Sequence, residues 1–255
     1  MTVEELTEKL HMNMNKNLAV LIGGEYREFA SCWKSWQFLE ELKYDVFMST
    51  WNTTGYNIGG KKMPRAEVVT REQIIDVIKQ EPKFLNIQKQ LGYNRRSNNQ
   101  IYHWHTVISN FIPYKNNYDC VLIIRPDLFV GANNFVELIK NYSNIEDRLY
   151  TTYPTHQSSV PPYNLTVMDL FFISSPAKII DTILTLPFQS ETKAASLMLD
   201  LHGHMATHYH SLGEDALALP DIEKYQFCVM RPNTRGIDNI DYHMAYKLSI
   251  EWSNS

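Results

Sequence analysis

Apolar runs rich in β-branched residues recur along the chain, and polar residues follow each of them directly. Residues 18–22 and 120–124 are continuous runs, which are typical of strands buried on both faces. Residues 45–51 predict a further strand, and residues 167–173 have a strand-like pattern in which Asp169 is the one acidic residue. These runs predict the strands of a sheet that is covered on both sides.

Segments with apolar residues near a helical period lie between the predicted strands. Thr70 stands where its hydroxyl can cap one of these helices. Residues 53–65 are rich in glycine and predict a loop, whereas residues 82–96 fit no single element. The alternation predicts an α/β domain with a central, mostly parallel sheet flanked by helices. The predicted helices are residues 28–43, 70–80, 98–111, 133–141, 177–186 and 191–209.

Charge, cysteine spacing and the length of apolar runs exclude several classes of protein. The net charge of −4 provides no basic excess for non-specific nucleic-acid binding. Three widely spaced cysteines without a CxxC motif argue for a reducing compartment, and against a disulfide framework or a cysteine zinc site. No apolar run approaches the roughly 20 residues that span a bilayer, and the N-terminus lacks a hydrophobic signal core. We therefore expect a cytoplasmic protein.

The most informative polar residues follow the run at 120–124. Pro126 has no backbone N–H and cannot continue a central strand, so Arg125 and Asp127 come together at a strand end. Open α/β sheets bind ligands at the carboxyl ends of their strands. There, an aspartate can hold a divalent cation and an arginine can hold a phosphate. A structural ion pair that caps the strand is the alternative.

Two other strand ends carry candidate binding residues. Gly23 and Gly24 follow the first run and permit positive φ and a close approach of backbone to a ligand, with Arg27 near the start of the next helix. Thr50 and Trp51 end the second predicted strand. GxGxxG and GxxxxGK[ST] motifs are absent, so the sequence supports neither a dinucleotide Rossmann fold nor a P-loop.

An acidic residue and two histidines complete the candidates. Asp169 is costly in an apolar strand unless it is paired or liganded. We expect the Asp169 carboxylate to lie near Asp127, where the two could share a metal ion or contact an acceptor hydroxyl. The alternative is that Asp169 caps the turn that follows. His204 and His208 share a helical face and can bind zinc, but the glutamate of an HExxH motif is missing. One histidine that completes an aspartate-based metal site, or structural histidines, remain alternatives.

Four short motifs occur in a characteristic order: Gly-Gly-Glu-Tyr-Arg at 23–27, Asp-Val-Phe-Met-Ser-Thr-Trp at 45–51, Ile-Arg-Pro-Asp-Leu at 124–128 and Asp-Leu-Phe-Phe at 169–172. This order resembles the small GT-A-type glycosyltransferases of bacterial surface-polysaccharide clusters, phages and large DNA viruses. In that family the first strand commonly ends G-x-x-R, the second reads D-x-F-x-x-T-W, and the central strand ends R-x-D. The similarity covers roughly residues 18–172.

The resemblance implies one glycosyltransferase-like domain over residues 1–255, in the cytoplasm of a bacterium or of a virus-infected cell. Residues 1–16 would be an N-terminal extension, 17–130 a nucleotide-sugar-binding half and 131–255 an acceptor half. The implied activity moves a sugar from a nucleotide-diphosphate donor to a hydroxyl of a glycan or another acceptor. A nucleic-acid acceptor is possible but disfavoured by the acidic net charge.

The resemblance also implies roles for individual residues. Asp127 would coordinate Mn²⁺ or Mg²⁺ on the diphosphate, but Arg125 replaces the first acid of the family's D-x-D motif and could neutralise the diphosphate itself. The implied donor-binding residues are Gly23, Gly24, Arg27, Thr50, Trp51, Arg125, Asp127 and Arg231. The implied metal ligands are Asp127, His204 and His208, and the candidate catalytic bases are Asp169, Glu214 and Asp215.

Two other functions compete with transfer. The absence of the first acidic residue of the D-x-D motif favours a GT-A-like protein that binds a glycan or a nucleotide without catalysis. A metal-dependent hydrolase that uses Asp127, Asp169 and the histidines is the third hypothesis.

Overall fold

The computed structural model describes residues 17–53, 67–89, 96–131, 148–151, 156–157, 165–166, 171–188, 201–214, 216–218 and 226–229. These ranges form a mixed α/β fold with a seven-stranded sheet and helices on both of its faces. The prediction of a mostly parallel sheet flanked by helices is confirmed. The predicted helix at 133–141 and residues 54–65 of the predicted loop lie outside the described residues.

The order of the strands defines the sheet. Six of the seven strands run in one direction, and β9 runs antiparallel to its two neighbours. The strands, in their order across the sheet, are β10 (Leu217–Ala218), β6 (Tyr150–Thr151), β9 (Phe171–Ser174), β4 (Cys120–Ile124), β1 (Leu18–Gly23), β2 (Tyr44–Trp51) and β3 (Phe84–Gln88). Two small antiparallel pairs join β5 (Leu128–Gly131) to β11 (Gln226–Val229) and β7 (His156–Gln157) to β8 (Leu165–Thr166).

Helices cover both faces of this sheet. The α-helices are α1 (Phe29–Lys34), α2 (Arg71–Ile78), α3 (Arg96–Phe111), α4 (Pro176–Ile179) and α5 (Leu201–Ser211). Two 3₁₀ helices span Gln37–Glu41 and Ile112–Asn117, and a π-helix spans Ile180–Leu184. No helix in the described part of the chain is long and apolar enough to cross a membrane.

Alternate residues of the central strands contribute to two cores. Val20 and Ile22 of β1 pack with the side chains of α1 and α2, whereas Ala19 and Leu21 pack with those of α3 and α5. Every residue of β1 and β4 is buried. This confirms the prediction that both apolar runs form strands covered on both faces.

The helix predicted at 70–80 forms with the predicted cap. Thr70 Oγ1 accepts a hydrogen bond from the Gln73 N–H at 3.3 Å, and the Thr70 N–H donates to Gln73 Oε1 at 2.9 Å. This reciprocal capping box satisfies two backbone donors that the first turn would otherwise leave unpaired. The amino end of α2 is therefore determined by local sequence.

The helix predicted at 28–43 is interrupted after α1. Ser35 is buried, and its hydroxyl accepts a hydrogen bond from the Val130 N–H at 3.0 Å. The indole N–H of Trp36 donates to Leu128 O at 2.8 Å. Both bonds attach this part of the chain to β5, a strand that the apolar pattern did not predict. Tertiary hydrogen bonds therefore end the helix where periodicity alone would continue it.

Two further segments differ from the sequence prediction. The unassigned residues 82–96 contain β3, an edge strand whose five residues are all half-buried and give no clear apolar pattern. The predicted helix at 177–186 begins as α4 but continues as a π-helix. Thr182 Oγ1 donates to Lys178 O at 2.6 Å within this segment. Such side-chain bonds to the preceding turn are known to bend helices.

The strand order reverses beside β1. The chain adds β2 and β3 on one side of β1 and then crosses over to add β4 on the other side. In open α/β sheets this reversal marks the usual ligand-binding crevice, outside the carboxyl ends of the strands. We call the side of the sheet where β1, β2, β3 and β4 end the carboxyl edge, and the opposite side the amino edge.

Replacement of Ser35 by alanine tests the attachment of α1 to β5. Ser35→Ala leaves the buried Val130 N–H without its partner, so we expect a loss of about 1–3 kcal/mol in the free energy of unfolding measured in urea. Ser31→Ala is the matched control, because Ser31 is an exposed residue of the same helix. Equal stabilities of the two variants would contradict this role of Ser35.

Candidate functional site

Two arginine side chains and two carboxylates meet at the carboxyl edge, in the loops that follow β1 and β4. Arg27 Nη1 donates to Asp127 Oδ2 at 2.6 Å, and Arg27 Nε donates to Glu25 Oε2 at 2.8 Å. Arg125 donates from Nε to Asp127 Oδ1 at 2.9 Å and from Nη2 to Asp127 Oδ2 at 3.0 Å. We call these four residues the arginine–aspartate cluster.

The cluster is largely removed from solvent. The exposed fraction of the side chain is 3% for Asp127, 12% for Arg125 and 16% for Arg27. Burial alone would raise the pKa of Asp127, but Arg125 and Arg27 outweigh burial and hold this pKa below its usual value. Burial alone would lower the pKa of Arg27, but Asp127 and Glu25 outweigh it and raise this pKa. Asp127 and Arg27 are therefore both charged at neutral pH.

The loop after β1 holds Arg27 in an uncommon backbone conformation. Its φ angle is +35°, and Gly24 has a φ angle of +141°. A non-glycine residue in a sparsely populated region costs on the order of 1–3 kcal/mol and persists only where its surroundings impose it. The ion pairs of the Arg27 side chain supply such a constraint.

Gly23 and Gly24 allow α3 to pack closely against this loop. A Cβ atom on Gly23 would lie 2.9 Å from Trp104 Cδ1, and one on Gly24 would lie 2.9 Å from Gln100 Oε1. The Gly24 N–H donates to Ser49 O at 3.2 Å, so it is already used within the protein. The sequence predicted that a ligand approaches these glycines, but side chains of α3 occupy the space beside their Cα atoms.

Thr50 and Trp51, expected near the base or ribose of a nucleotide, are buried at the end of β2 with exposures of 0% and 1%. The Trp51 ring stacks on Tyr102 with a centroid separation of 5.3 Å and meets His103 edge-on at 4.2 Å. Thr50 Oγ1 and Trp51 Nε1 have no hydrogen-bond partner among the described residues. In this conformation Tyr102 covers one face of the indole ring.

A buried histidine in the same region was missed by the sequence analysis. His103 Nδ1 lies 2.8 Å from Ser49 Oγ, which accepts a hydrogen bond from Asn86 Nδ2 at 3.2 Å. Burial lowers the pKa of His103 to about 3, so the ring is neutral at physiological pH. No sequence signal identifies this histidine, because its serine partner is 54 positions away. Glu25 was also missed, although it lies within the Gly-Gly-Glu-Tyr-Arg motif.

The described residues around Asp127 do not fit the expected Mn²⁺ or Mg²⁺ ion. Both carboxylate oxygens accept hydrogen bonds from arginine N–H groups, so a cation at Asp127 would face two guanidinium groups. Divalent cations of this type prefer several oxygen ligands. Within the described ranges, no three His, Cys, Asp or Glu side chains come together as a metal site. Two guanidinium groups thus contact the carboxylate that the resemblance assigns as a metal ligand.

The two candidate metal-binding histidines both lie on α5, as their spacing predicts. His204 Nε2 lies 2.7 Å from Pro187 O, and His208 Nε2 lies 3.1 Å from Thr185 Oγ1. Because a carbonyl oxygen only accepts, His204 Nε2 carries a proton and is not free to ligate a metal. Burial, followed by the charge of His204, lowers the pKa of His208. Both histidines attach α5 to the segment after the π-helix.

The candidate base Glu214 lies at the amino edge. Its Oε1 accepts a hydrogen bond from Lys178 Nζ at 2.5 Å. Lys178 belongs to α4, which follows Ser174, and Ser174 pairs with Val121 near the start of β4. Asp127 follows the other end of β4, so the structure does not bring Glu214 to the arginine–aspartate cluster. The predicted site residues outside the described ranges are Asp169, Asp215 and Arg231.

Comparison with known proteins adds no family assignment. No protein-family model and no curated protein sequence matches this chain.

Replacement of Asp127 by asparagine tests the strength of the cluster. Removal of one partner from a buried ion pair leaves an uncompensated charge, so we expect Asp127→Asn to lose about 3 kcal/mol of unfolding free energy at pH 7. Asp76→Asn is the control, because the ion pair of Asp76 with Lys79 is exposed and should contribute less than about 1 kcal/mol.

The pH dependence of the same variant gives a second test. The pKa of Asp127 is below its ordinary value of 3.8 in the folded state, so its stabilisation is present above that pH and is lost as the pH falls through the folded-state pKa. The stability difference between wild type and Asp127→Asn should therefore shrink in strong acid. If the stability difference between the two proteins stayed constant from neutral pH into strong acid, the ion-pair assignment would be contradicted.

Proposed function

We propose that the carboxyl edge binds the diphosphate of a nucleotide sugar and that the protein transfers the sugar to a hydroxyl acceptor. One observation carries this proposal: Asp127 holds two nearly buried guanidinium groups at the edge of the sheet where the strand order reverses. Ligands of open α/β sheets bind at such a reversal, and arginine is well suited to phosphate. The order of the four sequence motifs supports the same function.

The hydrogen bonds of Arg27 leave it able to bind an anion. A guanidinium group has five N–H donors, and the two contacts of Arg27 to carboxylates use one from Nε and one from Nη1. The remaining donors have no acceptor among the described residues. Asp127 thus fixes the direction of the guanidinium groups before a ligand arrives, which reduces the entropy lost on binding.

The proposed reaction requires two charge-handling steps. The bond between the anomeric carbon and the diphosphate oxygen breaks, and the leaving diphosphate gains negative charge that nearby guanidinium groups stabilise. The acceptor oxygen forms a bond to the anomeric carbon and loses its proton to a carboxylate. Asp127 and Glu25 already accept hydrogen bonds from arginines. Of the two candidate bases outside the described residues, Asp169 and Asp215, we propose Asp169, because it belongs to the motif at 169–172.

Binding of the same ligand without transfer is the second candidate function. It is favoured by the pairing within the cluster, where two arginines are balanced by two carboxylates. A cluster in which the arginine and carboxylate charges are paired can bind a ligand whether or not it catalyses a reaction. Turnover of a bound donor separates the two functions.

Donor binding is tested by calorimetry with UDP-, GDP- and dTDP-sugars. Lysine keeps the charge of arginine but cannot form the two-donor contact, so Arg27→Lys and Arg125→Lys should weaken binding by about 10–100-fold. Arg71→Lys is the matched control, because Arg71 lies on α2 in an exposed pair with Glu81. Binding that is equally strong in all three variants would remove the cluster from the site.

Transfer is tested by the release of nucleoside diphosphate from the bound donor, with Mn²⁺ and with a chelator. We expect release that depends on an acceptor and persists in the chelator, because the cluster offers arginines where a metal was expected. Tight binding without any release would identify a binding protein. Release without an acceptor would identify a hydrolase, and a strict requirement for Mn²⁺ would overturn the assignment of the arginines.

A further inference from the structure

A pocket with aromatic walls opens at the amino edge of the sheet. It lies between α1, the start of β2 and the end of α2, and has a volume of about 360 Å³. Trp33 and Tyr44 form its aromatic walls, with ring centroids 6.5 Å apart and an angle of 53° between the planes. Both residues are half-buried, so part of each ring remains open to solvent.

The aromatic walls are held by the core beneath them. Trp33 packs against Phe29 with a centroid separation of 5.7 Å and against Trp36 at 5.4 Å. Trp36 is itself fixed by its hydrogen bond to Leu128 O. The ring of Trp33 is therefore presented in a defined orientation, and little conformational entropy is lost when a ligand packs on it.

A buried amide supplies the polar part of the pocket. Gln80 lines the pocket, and its Nε2 atom is buried without a hydrogen-bond partner among the residues that the structure describes. A buried donor that is left unsatisfied costs on the order of 1–3 kcal/mol. The Gln80 side chain is half-buried, and its rotation toward the pocket would let this donor bond to an oxygen acceptor of a ligand. Lys34 and Lys79 add further donors to the lining, and Glu40 adds an acceptor.

We propose that this pocket binds a sugar residue. A pyranose ring has flat C–H faces that pack on aromatic rings and an equatorial rim of hydroxyl groups that both donate and accept hydrogen bonds. The pocket provides the matching set, with aromatic walls from Trp33 and Tyr44, donors from Gln80 and the lysines, and an acceptor from Glu40. Its volume is within the range of about 300–1,000 Å³ found for small-molecule sites.

Two other ligand classes match the pocket less well. A quaternary ammonium ion would suit the aromatic rings, but two lysines and an amide N–H donor also line the pocket. A nucleobase would stack on the aromatic rings but would leave some of the polar lining residues without hydrogen-bond partners. The pocket lies at the amino edge, because Tyr44 pairs with Leu18 at the start of β1. It is thus separate from the arginine–aspartate cluster, and this inference does not depend on the proposed transfer.

Binding is measured on the full chain with the methyl glycosides of glucose, galactose, mannose and N-acetylglucosamine. These probes lack a diphosphate and therefore do not mimic the proposed donor, and the variants of the pocket distinguish binding here from binding at an acceptor site. We expect at least one glycoside to change tryptophan fluorescence in a saturable way and to show saturation transfer in NMR. Trp33→Ala and Gln80→Leu should each weaken this binding about tenfold, whereas Arg125→Lys should leave it unchanged.

Tyr114→Ala is the matched aromatic control, because Tyr114 is 40% exposed and is absent from the lining of the pocket. The melting temperature of each variant is measured in parallel, and Gln80→Leu keeps the test valid if loss of Trp33 disturbs the core. The proposal is overturned if no glycoside binds at up to about 50 mM, well above a millimolar dissociation constant. It is also overturned if the pocket variants bind as wild type does, or if uridine or tetramethylammonium binds there more tightly than every glycoside.

Discussion

The pairing of buried charges at the carboxyl edge is the constraint on which the candidate site depends. Removal of a carboxylate and two guanidinium groups from water is unfavourable unless each charge has a partner. Asp127 meets this requirement with three hydrogen bonds from Arg27 and Arg125. The loops after β1 and β4 are therefore fastened together by the same residues that we propose to bind phosphate.

This arrangement explains how the proposed nucleotide-sugar site could work without the metal ion that the resemblance implies. A metal ion and a pair of arginines both place positive charge beside a diphosphate. Arginine adds directionality through its planar set of donors, provided that a neighbouring acceptor fixes the plane. In this chain Asp127 is the acceptor that fixes both guanidinium groups. Its proposed role is to position the arginines.

The packing of α3 against the sheet separates the carboxyl edge into an accessible part and a buried part. Gly23 and Gly24 bring α3 close enough for Trp104 and Gln100 to fill the space beside them. Trp51 is buried by the same helix. A ligand therefore meets the partly exposed arginines before it meets the residues at the end of β2. The aromatic pocket lies at the amino edge, so the two proposed sites occupy opposite ends of the strands.

Local sequence determined the central strands, the cap of α2 and the place of Arg125 and Asp127 at a strand end. Continuous apolar runs, a threonine cap and a proline act over a few residues, so they can be recognised without knowledge of the fold. The interruption after α1 and the depth of Trp51 could not be recognised in this way. They depend on contacts between residues that are distant in the chain, such as Ser35 with Val130.

Some features of the candidate site could likewise be recognised from the sequence, and others could not. The sequence identified Arg27, Arg125 and Asp127 as chemically interesting residues, because charged groups follow buried strands. Only the tertiary structure decided that Asp127 binds two arginines, and that Glu214 lies at the other edge of the sheet. The physical reason is that sequence gives the type and order of charges, whereas their energies depend on distances and burial that the packed sheet sets.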